Sequence, residues 1–122
     1  QPFEAILTAW RQAKASGNVE QVLRFYASDF SGFRAKTLRD LEPALREEMT
    51  QTAGRAIELQ DLSYLRWTDE DDTMVVTFTE VAAPRDGARG GPAKGPLKRQ
   101  YWSRQQTENG QEWKIIFEGI IG

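Results

Sequence analysis

Two carboxylates, Glu80 and Glu118, have the setting best suited to proton transfer, because each interrupts an otherwise apolar strand pattern. A carboxylate that faces a dry cavity has its pKa raised toward neutrality and can act as a general base. Tyr26 would be the matching hydrogen-bond donor, since a buried phenol requires a polar partner or a ligand. One hypothesis is therefore a base and a phenol on the wall of one cavity.

The alternative interpretation places Glu80 and Glu118 at the surface, and it is the one we favour. Basic residues on the neighbouring strand would then pair with them across the sheet, namely Lys98, Arg99 or Arg104. Opposite charges on adjacent strands commonly form such pairs, each of modest energy. This interpretation predicts no catalytic residue.

Further candidates come from residues that would meet a ligand or another protein. Tyr101 and Trp102 are consecutive in a predicted strand, so one of them must lie on the outer face of the sheet and form a contact surface. The candidate ligand-binding residues are Tyr26, Arg34, Glu80, Arg99, Tyr101 and Glu118. We assign no catalytic residue, no metal ligand and no cofactor.

Composition narrows the possible chemistry. The 122 residues include neither Cys nor His, which removes thiolate chemistry, disulfides and the commonest metal ligands and general base. A net charge of -2 does not favour nucleic acid as a partner, and no apolar run is long enough for membrane insertion. We expect residues 1–122 to form one domain, excised from a longer protein because the chain begins with Gln1.

The elements that must position these side chains begin with helices. Apolar residues recur at helical spacing from Phe3 to Ala13 and from Val19 to Tyr26, with Gly17 as the C-terminal residue of the first helix and Asn18 as the cap of the second. A third helix is expected to start with Asp40 as its cap, which would place Pro43 in the first turn. Its buried stripe would be formed by Leu41, Ala44, Leu45 and Met49, and Gly54 would end it.

The second half alternates with a period of two, as strands do. A change of parity at Asp61 predicts a bulge, and Asn109-Gly110 predicts a tight turn. The strand after the acidic turn 69–72 places Met74, Val76, Phe78 and Glu80 on one face. Ala83 to Pro96 is rich in Gly and Pro, so we interpret it as a long, mobile and basic hairpin loop. A strand from Leu97 to Gln106 follows it, and another strand begins at Trp113. The expected sheet is a four-stranded antiparallel meander.

The ending Tyr26-Ala27-Ser28-Asp29-Phe30 resembles that of the second helix in the nuclear transport factor 2-like superfamily. Within it, Asp61-Leu62, Val76-Thr77-Phe78 and Trp113-Lys114-Ile115 are similar to segments of the domain appended to the C-terminus of some bacterial L,D-transpeptidase-related proteins. The resemblance implies an α+β fold in which three N-terminal helices pack on a strongly curved antiparallel sheet, cone-shaped and cystatin-like. It also implies a periplasmic location.

This resemblance implies a non-catalytic binding or assembly domain of a peptidoglycan-modifying protein of the cell envelope. Its partners would be peptidoglycan or a cell-wall peptide, and a second copy or an adjacent catalytic domain docked on the outer sheet face. Two alternatives stay open. One is a small isomerase or dehydratase with a carboxylate base in the cone, and the other is a scaffold or dimerisation domain whose cone is filled by its own side chains.

Overall fold

A computed structural model of the chain describes residues 2–32, 35–67, 72–84 and 91–121, and in them it has three helices and five strands. The helices are α1 (Phe3–Ser16), α2 (Val19–Leu23) and α3 (Leu38–Thr52). The strands are β1 (Tyr26–Gly32), β2 (Ile57–Arg66), β3 (Thr73–Ala82), β4 (Ala93–Thr107) and β5 (Gly110–Ile120). None of the helices in these ranges is long and apolar enough to cross a membrane.

The strands form one curved sheet in the order β1-β5-β4-β3-β2. Strands β2 to β5 are the predicted antiparallel meander, and β1 adds a fifth strand that runs parallel to β5. The helices pack on one side of this sheet, so the predicted α+β fold is confirmed. The core between the two layers includes Trp10 of α1, Val22 of α2, Phe78 of β3, Trp102 of β4 and Ile115 of β5, all fully buried.

The α1–α2 corner forms as the sequence predicts. Gly17 adopts a left-handed conformation with φ of 80°, which ends α1, and the Asn18 side chain accepts a hydrogen bond from the Gln21 N–H at the start of α2. The bulge is also confirmed, since Asp61 has φ of 53° and the β2–β3 register shifts between Gln60 and Ser63.

The prediction of a helix reaching Tyr26 is wrong, because α2 ends at Leu23 and Tyr26 begins β1. Tyr26 lies four residues after Val22, a spacing that also fits a helix, but the sheet offers a free edge on β5. Ile115 N–H donates to the Phe25 carbonyl at 2.7 Å, which starts the parallel pairing. Asp29 is an exposed residue of this strand.

Two further boundaries differ from the prediction. Thr37, not Asp40, caps α3, so Pro43 lies inside the helix, and Ala44 is exposed rather than part of the buried stripe. Strand β4 begins at Ala93 instead of Leu97, because antiparallel pairing with Ala82 continues past a register shift. The remaining predictions at Arg34, residues 69–71 and the loop residues 85–90 lie outside the described part of the chain.

Candidate functional site

A buried lysine on α1 organises the polar interior. Lys14 follows Trp10 and Leu7 at helical spacing, so it continues the buried stripe of α1, and only 1% of the residue is exposed. Its Nζ lies 3.0 Å from Glu48 Oε1 on α3 and 3.3 Å from Glu80 Oε1 on β3. The same ammonium stands 5.4 Å from the centre of the Trp10 ring. Lys14 therefore links α1 to α3 and to strand β3 of the sheet.

A second lysine shares one of these carboxylates. Lys98 Nζ, from β4, lies 3.3 Å from Glu48 Oε1. We call Lys14, Glu48, Glu80 and Lys98 the charged cluster. Two lysines and two carboxylates alternate in it, so each charge has an opposite neighbour, as the burial of Lys14 and Glu80 requires.

The charged cluster shifts the pKa values of Glu48 and Lys98. Burial acts to raise the pKa of Glu48, but Lys14 and Lys98 outweigh it and lower that pKa to about 2. Burial likewise acts to lower the pKa of Lys98, whereas Glu118, Glu48 and Glu80 together raise it above its usual value. Both side chains are accordingly charged at neutral pH.

A chain of hydrogen bonds runs beside the charged cluster. Tyr26 Oη donates to Glu118 Oε2 at 3.0 Å, and Gln100 Nε2 donates to the same oxygen at 2.6 Å. Gln100 Oε1 in turn accepts from Trp102 Nε1 at 2.9 Å. Burial, followed by the negative charge of Glu118, raises the pKa of Tyr26 well above its ordinary value. Tyr26 is thus a neutral donor that fixes the position of Glu118.

An open cavity of about 530 Å³ lies between α3 and the inner face of β3, β4 and β5. Its apolar wall includes Phe30, Leu41 and Leu45. Its charged side chains are Glu47, Glu48, Glu80, Glu118, Lys94 and Lys98. We call it the cone cavity. Four carboxylates and two lysines give it groups that can bind an ammonium and groups that can bind a carboxylate.

The arrangement favours binding over proton transfer. Glu48 is ionised and paired with two lysines, and Glu80 faces Lys14, so neither is an unpaired carboxylate. Glu118 Oε2 already accepts two hydrogen bonds. The described residues also contain no group of carboxylates that could hold a metal ion.

The structure brings together three of the predicted ligand-binding residues and separates the others. Tyr26, Glu80 and Glu118 point to the interior, whereas Arg99 and Tyr101 alternate with inward residues of β4 and lie on the outer face. Arg34 lies outside the described residues.

The predicted surface pairing of the two carboxylates is wrong. Glu80 is buried against Lys14, and Arg104 pairs instead with Asp72 at 2.8 Å. Glu118 lies opposite Gln100, not opposite a basic residue. The reason is strand parity, because both carboxylates fall on the face that the helices cover.

Sequence reasoning missed Lys14, Glu48 and Gln100. Lys14 could have been found, since it lies four residues after Trp10 on the apolar stripe of α1. Glu48 lies three residues after the buried Leu45 in the same way. A charged residue on a buried stripe needs a buried partner, and that requirement is the available signal.

Comparisons with known proteins agree on this architecture. Residues 3–119 match the family model described as the Cds6 C-terminal NTF2-like domain. No curated protein matches the chain.

Three solved structures illustrate the similarity. Bd1075 of Bdellovibrio bacteriovorus superposes with a TM-score of 0.71 at 14% identity, over 98% of this chain and 40% of its own. The helical cell shape determining protein Pgp2 of Campylobacter jejuni, as its K307A mutant, gives 0.68 at 17% identity, over 95% of this chain and 38% of its own. An NTF2-like protein of unknown function from Pseudomonas putida superposes with a TM-score of 0.68 at 17% identity, over 96% of this chain and 81% of its own. This chain spans less than half the length of Bd1075 and of Pgp2, and at these identities the similarity establishes the fold.

Proposed function

Because the chain belongs to the family of Cds6 C-terminal NTF2-like domains, we propose that it is a non-catalytic binding domain of a bacterial cell-envelope protein related to the L,D-transpeptidases. Its ligand is a peptidoglycan peptide, and its location is the periplasm. The similarity in fold to Pgp2, a helical cell shape determining protein, supports this setting. So does the short span of this chain relative to Pgp2 and Bd1075, which leaves room for a catalytic domain in a longer protein.

The observation that carries the proposal is the charge pattern of the cone cavity. Short cell-wall peptides have free ammonium and carboxylate groups on one backbone. Glu80 and Glu118 present negative charge toward the cavity, and Lys94 and Lys98 present positive charge. A zwitterionic peptide would meet opposite charges at both ends, while Phe30 and Leu41 cover its apolar atoms.

The geometry gives less support to the two alternatives, a small isomerase or dehydratase and a scaffold with a filled cone. An isomerase or dehydratase needs a carboxylate that is free to accept a proton, whereas Glu80 is ion-paired with Lys14 and Glu118 Oε2 accepts hydrogen bonds from Tyr26 and Gln100. A scaffold with a filled cone would leave no cavity of this size.

Calorimetric titration of the chain with a stem tripeptide, L-alanyl-γ-D-glutamyl-diaminopimelate, tests the proposal. We expect saturable binding that Lys98→Met weakens by about tenfold, since one charge-assisted contact is lost. Lys36→Met removes an exposed lysine outside the cavity and is the matched control. Equal affinity in both variants, or no heat of binding, would refute the cavity as the peptide site, and turnover of the peptide would favour the enzyme instead.

We also propose that a second copy docks on the outer sheet face. Leu65 and Trp67 are 58% and 42% exposed there, and the Tyr101 ring lies 5.7 Å from Trp67 and 5.6 Å from Phe117. An exposed apolar surface of this kind fits a protein interface.

Light scattering over a concentration series tests this assembly. A dimer that Tyr101→Glu dissociates is the expected result, with Lys36→Glu as the control. A monomer at all concentrations would exclude self-association and leave an adjacent domain as the occupant of this face. Trp102 is unsuitable for the test because it is fully buried in the core.

A further inference from the structure

A second depression lies beside a different face of α1 from the one that carries Lys14. Its walls are α1, the end of α2 and the β4–β5 hairpin, and its volume is about 600 Å³. It shares no lining residue with the cone cavity. We call it the α1 groove.

The groove has an apolar floor because of the residues at one face of α1. Ile6, Ala9 and Ala13 follow each other at spacings of three and four, so they form one stripe, and the two alanines present only methyl groups. Phe25 and Trp113 complete the apolar lining. Phe3 and Trp102 hold these two rings in edge contacts, at 5.2 Å from Trp113 and 6.2 Å from Phe25.

The rim of the groove is basic although the whole chain carries a net charge of -2. Its lining includes the cations Arg24, Arg104 and Lys114 and a single carboxylate, Glu112. Glu112 is occupied, because it accepts a hydrogen bond from Thr107 and lies 3.8 Å from Lys114. Glu112 therefore offsets one of the three cations, and the lining keeps a net positive charge.

The cations differ in what they already bind. Lys114 Nζ donates to the Arg24 carbonyl at the end of α2, and Arg104 pairs with Asp72 while it stacks 5.6 Å from the Trp113 ring. The Arg24 guanidinium has no hydrogen bond or ion pair with any residue that the structure describes. Arg24 is thus the free cation beside an apolar floor.

We propose that the α1 groove binds a soluble amphiphilic anion, a small carboxylic acid with an aromatic or aliphatic body. The carboxylate pairs with the planar guanidinium of Arg24, whose geometry suits two parallel hydrogen bonds. The body lies on Ala9, Ala13 and Phe25. A cavity of this size fits a ligand of ordinary small-molecule dimensions.

The test uses 2-naphthoate as the probe and the neutral 2-naphthamide as its matched analogue, followed by NMR of the labelled chain. We expect 2-naphthoate to shift the Trp113 indole and the Ala9 and Ala13 amides in a saturable way. Arg24→Gln should weaken the binding of 2-naphthoate by about tenfold and leave the affinity for 2-naphthamide unchanged, because only the charged contact is removed. Arg39→Gln, an exposed arginine on α3, should change neither affinity.

A variant that fills the groove tests its shape independently of the charge of Arg24. Ala9 is exposed, so Ala9→Leu should keep the unfolding curve of the parent chain while it abolishes binding of both probes. The proposal is overturned if 2-naphthoate does not bind, if Arg24→Gln leaves its affinity unchanged, or if the shifts fall on Lys98 and Glu118 of the cone cavity instead.

Discussion

At the scale of single residues, Lys14 makes the most demanding contacts in the molecule, since it is buried and faces two carboxylates. Lys14→Met keeps the length of the side chain but leaves Glu80 buried without its cation. Removing one partner of a buried ion pair costs about 3 kcal/mol of unfolding free energy or more. Urea denaturation at pH 7 measures this loss.

The double variant Lys14→Met/Glu80→Gln is the control for that prediction. It removes both the cation and the buried negative charge, so it should recover a large part of the stability. A single Lys14→Met variant as stable as the parent would show that Glu80 finds water or another cation.

Glu48 gives the protein a defined acid sensitivity. Its pKa is lower in the folded chain, about 2, than the ordinary value of 4.5, so the folded state loses stabilisation as the pH falls from 4.5 through about 2. Glu48→Gln should therefore be less stable than the parent at pH 7, and the difference should shrink below pH 4.5 and vanish below about pH 2. Denaturation midpoints across this range check the prediction, and a difference independent of pH would contradict it.

The sequence predicts the direction of the Glu80 side chain but not its ion-pair partner. The inward direction of Glu80 follows from its parity with Val76 and Phe78, and that part was predictable. Its partner was not, because Lys14 and Glu80 are 66 positions apart and belong to different elements. Only the tertiary packing of α1 on β3 sets the 3.3 Å between their charges.

At the scale of elements, two glycines offer a matched test of helix ends. Gly17 after α1 has φ of 80° and Gly54 after α3 has φ of 77°, but a Cβ on Gly17 would lie 2.9 Å from Ala53 Cβ while one on Gly54 would meet nothing within 4 Å. Gly54→Ala should cost about 1 kcal/mol for the left-handed backbone alone. Gly17→Ala should cost clearly more.

Thermal or urea unfolding of both variants measures the difference, and Ala53→Gly provides the check. In the Gly17→Ala background, Ala53→Gly removes the contacting Cβ and should cost less than it does in the parent chain. Equal losses for Gly17→Ala and Gly54→Ala would mean that the helix end shifts to relieve the contact.

Local signals predicted these caps but not β1. Gly17 and Asn18 act within a few residues, so the sequence alone suffices to identify the corner. Tyr26 and Phe30 are buried in a strand that pairs with residues some 90 positions later, and no local pattern contains that information. The interior position of Pro43 was missed because a proline was expected only in the first turn of a helix, whereas Thr37 caps α3 and the helix continues through Pro43.

At the scale of the whole molecule, one core joins all the elements. It takes buried residues from the three helices and from β1, β3, β4 and β5, and Leu59 and Tyr64 of β2 pack against it. We expect a single cooperative unfolding transition, as small one-core domains show. Urea curves from circular dichroism, which follows the helices, and from tryptophan fluorescence, which follows α1, β4, β5 and the residue after β2, should coincide. Separate midpoints would show that the helical layer unfolds on its own.

The overall architecture was predictable because it depends on periodicity and order, whereas the cavities depend on distances. Helical stripes before Gly54 and alternation after Ile57 are sufficient for an α+β fold with a meander. The cone cavity and the α1 groove arise from the space left between layers, which no pattern of residue types reports.

The parallel pairing of β1 with β5 has a consequence for biosynthesis. Tyr26 finds its strand partner only in the segment around Ile115, so the ribosome must synthesise that later segment before the sheet can close. Until then the β1 edge and the Phe30 side chain have no cover from β5, and they are open to chaperones or to other nascent chains. A stop codon that removed β5 would take away the neighbour of both β1 and β4, so the shortened polypeptide would be a substrate for proteases rather than a smaller functional domain.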